Sequence, residues 1–140
     1  MHRYARNIIV SLNHWVSGWI DWNIVLDKDG GPNHVGNYCG APIMIDTATG
    51  QVYYTPIFYV LSQLSRSIRP GDRAVQVNTL RDDLAADDIY ASASLNEDNL
   101  LSVQILNTTK KPIDYQLQIG SQYAVVRIDA NALQTVRVQM

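Results

Sequence analysis

Hydrophobic positions along the chain change their period once, near residue 72. Ahead of that point the spacing is helical in two places. Tyr4, Ile8, Ile9, Leu12, Trp15 and Val16 lie on one face of a helix, with Arg3, Arg6, Asn7 and Asn13 between them as the solvated side. Gly18 is its stop. Pro56 opens the second helix at a first-turn position, where its missing N–H costs little. Ile57, Val60, Leu61, Leu64 and Ile68 then follow at helical spacing. Between the helices, Trp19 to Leu26 is short and apolar, and reads as a buried strand. Asp27 to Pro42 is a long loop with glycines at 30, 31, 36 and 40 and prolines at 32 and 42. Ile43–Ile45 is a short extended piece, and 46–50 a turn. Arg69-Pro70-Gly71-Asp72 ends the second helix and marks the main boundary.

Beyond it the period is two. Ile89, Ala91, Ala93 and Leu95 alternate with polar or small residues, as do Leu101, Val103 and Ile105. Ile113, Tyr115, Leu117 and Ile119 keep the same beat, and so do Val136, Val138 and Met140. Turn-rich breaks at 96–99, 107–112 and 120–121 separate them. Such strands, apolar on one face, predict an antiparallel sandwich or small barrel. The first part is odd alone, because a single buried strand between two helices has no sheet to sit in. Helix, strand, long loop and helix is what one slice of a (β/α)8 barrel looks like, where loops at the strands' C-terminal ends line the active site. The expected architecture is α+β: a helix–strand–helix piece like one slice of such a barrel, followed by an all-β part.

Composition narrows the function only by exclusion. Net charge is −2, without the basic stripe a nucleic-acid partner needs. The single cysteine, Cys39, excludes an intrachain disulfide and a thiol-based zinc site. His2, His14 and His34 lack ligand spacing, so no metal is expected. No apolar run reaches the roughly 18 residues of a membrane span, and the N-terminus has no signal-peptide pattern. Asp82, Asp83, Asp87 and Asp88 form an acidic cluster that reads as a solvated loop rather than a cation site. Asn107-Thr108-Thr109 fits a glycosylation sequon.

The run GWIDWNIVLDKDGGPNHVGNY (18–38), followed by API and later by TPIFYVLSQLSRSIRPG, resembles the C-terminal part of glycoside hydrolase family 30, and within it the glucosylceramidases. The G-W-x-D-W-N…G-G-P-N pattern is specific in spacing and residue type, and the likeness covers Tyr4 to Gly71. It implies that residues 1–69 are the last helix–strand–helix slice of a (β/α)8 barrel and 70–140 a β-sandwich packed on its side, the whole acting on β-glucosides or glycosphingolipids in a secreted, periplasmic or lysosomal setting, without a cofactor. Retaining chemistry needs two carboxyls about 5–5.5 Å apart. The resemblance places both catalytic glutamates upstream of Gly18, outside this chain, whose one glutamate, Glu97, falls in an expected hairpin turn. The chain alone is therefore expected not to hydrolyse glycosides, and its uncovered barrel surface to self-associate.

What the resemblance leaves here is a substrate wall. Trp22 is the aromatic that packs against the sugar, although from the residues alone a Trp in a buried strand reads as core. Asn37 is either an amide for sugar hydroxyls or a loop residue suited to left-handed backbone. Tyr38 is a rim aromatic, and His34 stands where glucosylceramidases commonly carry an aromatic. Asp21 is expected on the side of the strand opposite Trp22, in a structural role, with Trp19 packing on its face. Cys39 reads as an inert loop thiol. The second function class is a non-catalytic carbohydrate-binding or interaction sandwich, which predicts a well-folded monomer.

Overall fold

The computed structural model describes residues 2–80 and 88–140. The expected acidic cluster therefore lies outside the described residues except for Asp88. Helix α1 (His2–Asn13) buries Ala5, Ile8 and Ile9, one face at the spacing the sequence sets. It stops before Gly18, correcting the expected helix to Val16. Asn13 turns its side-chain amide to the Ala91 carbonyl at 2.8 Å. Trp15 takes a left-handed φ of 64°, and both it and Val16 are exposed rather than on the buried face.

The expected strand from Trp19 to Leu26 is likewise corrected. Only β1 (Val25–Asp27) forms, and it pairs in parallel with β2 (Ile43–Asp46). Ile20, Trp22 and Ile24 are exposed. A strand needs neighbours for its backbone groups, and among the described residues β1 has a partner on one side only. β3 (Gln51–Tyr54) completes a three-stranded sheet, antiparallel to β2, where the sequence pattern predicts no strand between the turn at 46–50 and the helix. Helix α2 (Pro56–Ser67) begins where Pro56 predicts, and the Thr55 hydroxyl before it bonds the Ala41 and Pro42 carbonyls.

The β part holds a four-stranded antiparallel sheet in the order β4 (Arg73–Val75), β5 (Ile89–Leu95), β6 (Leu100–Asn107), β9 (Leu133–Gln139). A hairpin of β7 (Ile113–Ile119) and β8 (Gln122–Ile128) covers one face. Alternation sorts the central strands. Ile89, Ala93, Leu101, Val103 and Ile105 face the hairpin and pack with Tyr115, Leu117 and Ile128. The opposite face meets the helices, where Leu106 joins Ile8, Ile9, Val60 and Leu64 in one core.

That second face is where the one-sided pattern departs from expectation. Ser92, Ser94, Ser102 and Gln104 look solvated in sequence but are buried under the helices. They are tolerated because most find partners. Ser92 donates to Gln104 Oε1 at 3.1 Å, and Gln63 Nε2 of α2 reaches the Leu133 carbonyl and Thr135 Oγ1. The helical part and the sandwich thus share a seam that is half apolar and half hydrogen-bonded.

Candidate active-site wall

Residues 18–23 run without a backbone ladder, and the last three of them border an open cleft of about 370 Å³. Tyr4, Asp21, Trp22, Asn23, Asn37, Cys39 and Gly40 line it. Asp21 and Trp22 both border this space, where strict alternation placed them on opposite sides; the segment is not a regular strand, so the alternation does not hold. Trp22 is 77% exposed. Its indole offers a flat apolar face and an N–H donor, and Asn37 brings an amide to the same cleft. Such a pairing suits a ligand with C–H faces and hydroxyls.

The loop after β1 brings Asn37, Cys39 and Gly40 to the cleft. Asp27 organises it, its Oδ1 accepting from the Asp29 and Gly31 amides at 3.0 and 2.8 Å. Gly30, at φ 89°, lets the returning chain pass so closely that a Cβ there would lie 2.6 Å from the Cys39 carbonyl oxygen. Asn33 Oδ1 accepts the backbone N–H of Asn37 at 2.9 Å and fixes the turn before it. His34 and Tyr38 are exposed on this loop and do not line the cleft. Cys39 lines it as a half-buried free thiol.

Tyr4 was visible in the sequence only as an apolar position of α1, yet its polar tip enters the cleft wall. Its hydroxyl donates to Asp21 Oδ1 at 3.4 Å, and its ring meets Trp19 edge-on at 6.0 Å. Desolvation first, and then the Asp21 carboxylate, hold its ionisation above the ordinary value of 10.0. The folded state therefore favours the neutral phenol. Its stabilising contribution is full below about pH 10 and is lost as pH rises through the folded value. Spectrophotometric titration of Asp21→Asn should show one tyrosine ionising at lower pH than in the parent chain; an unchanged titration counts against the coupling.

Glu97 sits exposed in the turn between β5 and β6 and lines neither this cleft nor the larger one beside the hairpin. A larger cleft, about 1130 Å³, lies between the sheet and the hairpin on a floor of Ile89, Ala93, Leu101, Val103 and Ile105. Asp114, a carboxylate in the lining of this cleft, is paired with Arg127 at 3.2 Å. Among the described residues no group of three or more His, Cys, Asp or Glu could hold a metal, and no helix is long and apolar enough to cross a membrane.

A barrel-type helix and sheet segment packed on an antiparallel sandwich, with a Trp–Asn cleft at its end, define a class, and comparison with known proteins agrees. Residues 1–68 match the glycosyl hydrolase family 30 TIM-barrel domain and 74–136 the beta sandwich domain of the same family. The chain belongs to glycosyl hydrolase family 30. It is 33% identical over 105 residues to putative glucosylceramidase 4 of Caenorhabditis elegans, a match spanning 75% of this chain and 20% of that protein. To the lysosomal acid glucosylceramidase of Mus musculus it is 32% identical over 111 residues, 79% of this chain and 21% of the relative. The chain thus spans about a fifth of the length of these relatives. The fold superposes on SrfJ from Salmonella typhimurium with a TM-score of 0.91 at 24% identity, covering 99% of this chain and 30% of that one. An endo-beta-1,6-glucanase gives 0.81 at 22% identity, covering 96% and 31%.

Proposed function

We propose that the chain supplies one wall of the sugar site and the side sandwich of a retaining, glucosylceramidase-type glycoside hydrolase. On this reading the barrel share is residues 1–69 and the sandwich 70–140. The substrate is a β-glucoside or glycosphingolipid whose sugar lies against Trp22 and bonds Asn37. The observation that carries the reading is the exposed Trp22 indole sharing a cleft with the Asn37 amide. His34 and Tyr38 act at the rim of the same loop, and Asp21 and Trp19 support the wall. Trp22 cannot cleave a glycosidic bond, and among the described residues Glu97 lines neither cleft and has no second glutamate to work with. Catalysis therefore needs two glutamates from outside these residues.

In the isolated form, Ile20, Ile24 and Val25 are exposed, and among the described residues no strand lies beside the outer edge of β1. A strand edge without a neighbouring strand, flanked by exposed apolar side chains, drives association. The purified chain should give no turnover of a fluorogenic β-glucoside, should bind ANS, and should sediment as more than a monomer. Sustained turnover abolished by Glu97→Gln would overturn the catalytic part. A clean monomer without ANS binding would count against the uncovered barrel surface.

A further inference from the structure

Residues 18–23 carry the sugar-facing Trp22, but no backbone ladder holds them among the described residues. What holds them comes from α1. Tyr4 and Asn7, three positions apart, share a face of that helix. Asn7 Oδ1 accepts the Trp19 indole N–H at 2.7 Å. The Tyr4 ring packs edge-on against Trp19, and its hydroxyl donates to Asp21. Trp19 and Asp21 stand on either side of Ile20, so α1 grips the segment at two points just before Trp22. Trp22 itself has no hydrogen bond or ring contact among the described residues.

We infer that Tyr4 and Asn7 are positioning residues for the sugar site: by fixing Trp19 and Asp21 they set the direction in which Trp22 meets the cleft. The inference rests on the glycoside reading of that cleft. The 3.4 Å hydroxyl–carboxylate bond is longer than the usual 2.7–2.8 Å of such pairs. The firmer hold is the Asn7–Trp19 bond together with the ring contact. Asn7 should therefore matter more than the Tyr4 hydroxyl. Tyr4 also borders the cleft, so its ring closes the wall that it orients.

The test uses the full chain labelled with nitrogen-15, whose three tryptophans (Trp15, Trp19, Trp22) give three indole N–H signals. Methyl β-D-glucoside is the probe. In the parent chain the Trp22 signal should shift saturably. Asn7→Leu removes the acceptor at similar volume; it should move the Trp22 signal without sugar and weaken the apparent affinity about threefold, the scale of one net hydrogen bond. Asn7→Asp keeps an acceptor and should restore both. Tyr4→Phe keeps the ring and should have a smaller effect in the same direction, and it serves if Asn7→Leu fails to fold. Folded variants whose Trp22 signal and affinity equal the parent's would overturn the inference. A parent chain whose Trp22 ignores the glucoside overturns the glycoside reading instead, and the sugar-free spectra still decide the role of α1.

Discussion

Replacing Leu106 by alanine should unfold the helical part and the sandwich in one step, at a temperature about 10–15 °C lower than for the parent chain. The expectation follows from where one side chain sits. Leu106 is 0% exposed, on the central strand β6, and packs with Ile8 and Ile9 of α1 and Val60 and Leu64 of α2. Truncating a buried leucine costs about 2–5 kcal/mol, the spread reflecting how far the site can collapse. Here collapse is limited on two sides. The sheet is fixed by its ladders to β5 and β9, and Gln63 ties α2 to Leu133 and Thr135. A loss of that size is a large share of a typical stability of about 5–15 kcal/mol. Circular dichroism follows the strands, and tryptophan fluorescence follows Trp15, Trp19 and Trp22, all in the helical part. Coincident transitions at the lowered temperature support a shared core. Two separated transitions, or only the fluorescence change moving, would mean the two parts are stabilised independently.

That shared core shows which parts of the fold were legible in the sequence. Helix α2 could be read because Pro56 marks its first turn and Val60 and Leu64 keep a 3.6-residue period on a face that is buried within this chain. The strands around Ala93 and Val103 were equally plain, since their apolar face packs on the hairpin. The other face was misread because Ser92, Ser102 and Gln104 are polar. Burial there depends on hydrogen bonds to α2 and neighbouring strands, which no one-dimensional pattern records. Trp19 to Leu26 failed for the opposite reason. Its apolar character is real, but Ile20, Trp22 and Ile24 have no cover among the described residues. Strand β8 was missed because Tyr123, Ala124, Val125 and Val126 form an unbroken run without alternation, although Tyr123 and Val125 turn outward. In the cleft, Trp22 and Asn37 came from the signature run. Tyr4 did not, because the helical period counts a tyrosine as apolar and ignores its hydroxyl; the polar Asn7 three residues on was the available hint.

Gly30→Ala should open the loop that delivers Asn37 to the cleft while leaving the sandwich folded. Gly30 has φ 89°, a region that L-residues rarely adopt, and its missing side chain is the space through which the chain returns at Cys39. A Cβ would stand 2.6 Å from the Cys39 carbonyl oxygen and 2.7 Å from its amide nitrogen. Both atoms are backbone, so no side chain can swing aside. The backbone geometry alone costs about 1–3 kcal/mol, and the contact adds to it. Relief requires moving Cys39, which carries Asn37 and Gly40 with it. Gly36 is the control: its φ is also positive, 68°, but a Cβ there meets nothing within 4 Å, so Gly36→Ala bears only the strain of the backbone. The half-buried Cys39 thiol reports the difference directly. Its labelling by a thiol reagent should be about tenfold faster in Gly30→Ala, the ratio that 1.4 kcal/mol sets, and clearly slower than that in Gly36→Ala. The glucoside-induced shift of the Trp22 indole should disappear in the first variant and persist in the second. Equal labelling in both variants and the parent would show that the close passage at Cys39 does not hold the loop, and Asn37 would then need another anchor. On this argument the delivery of Asn37 to the cleft it shares with Trp22 rests on a residue with no side chain at all, set where two passes of backbone come closest.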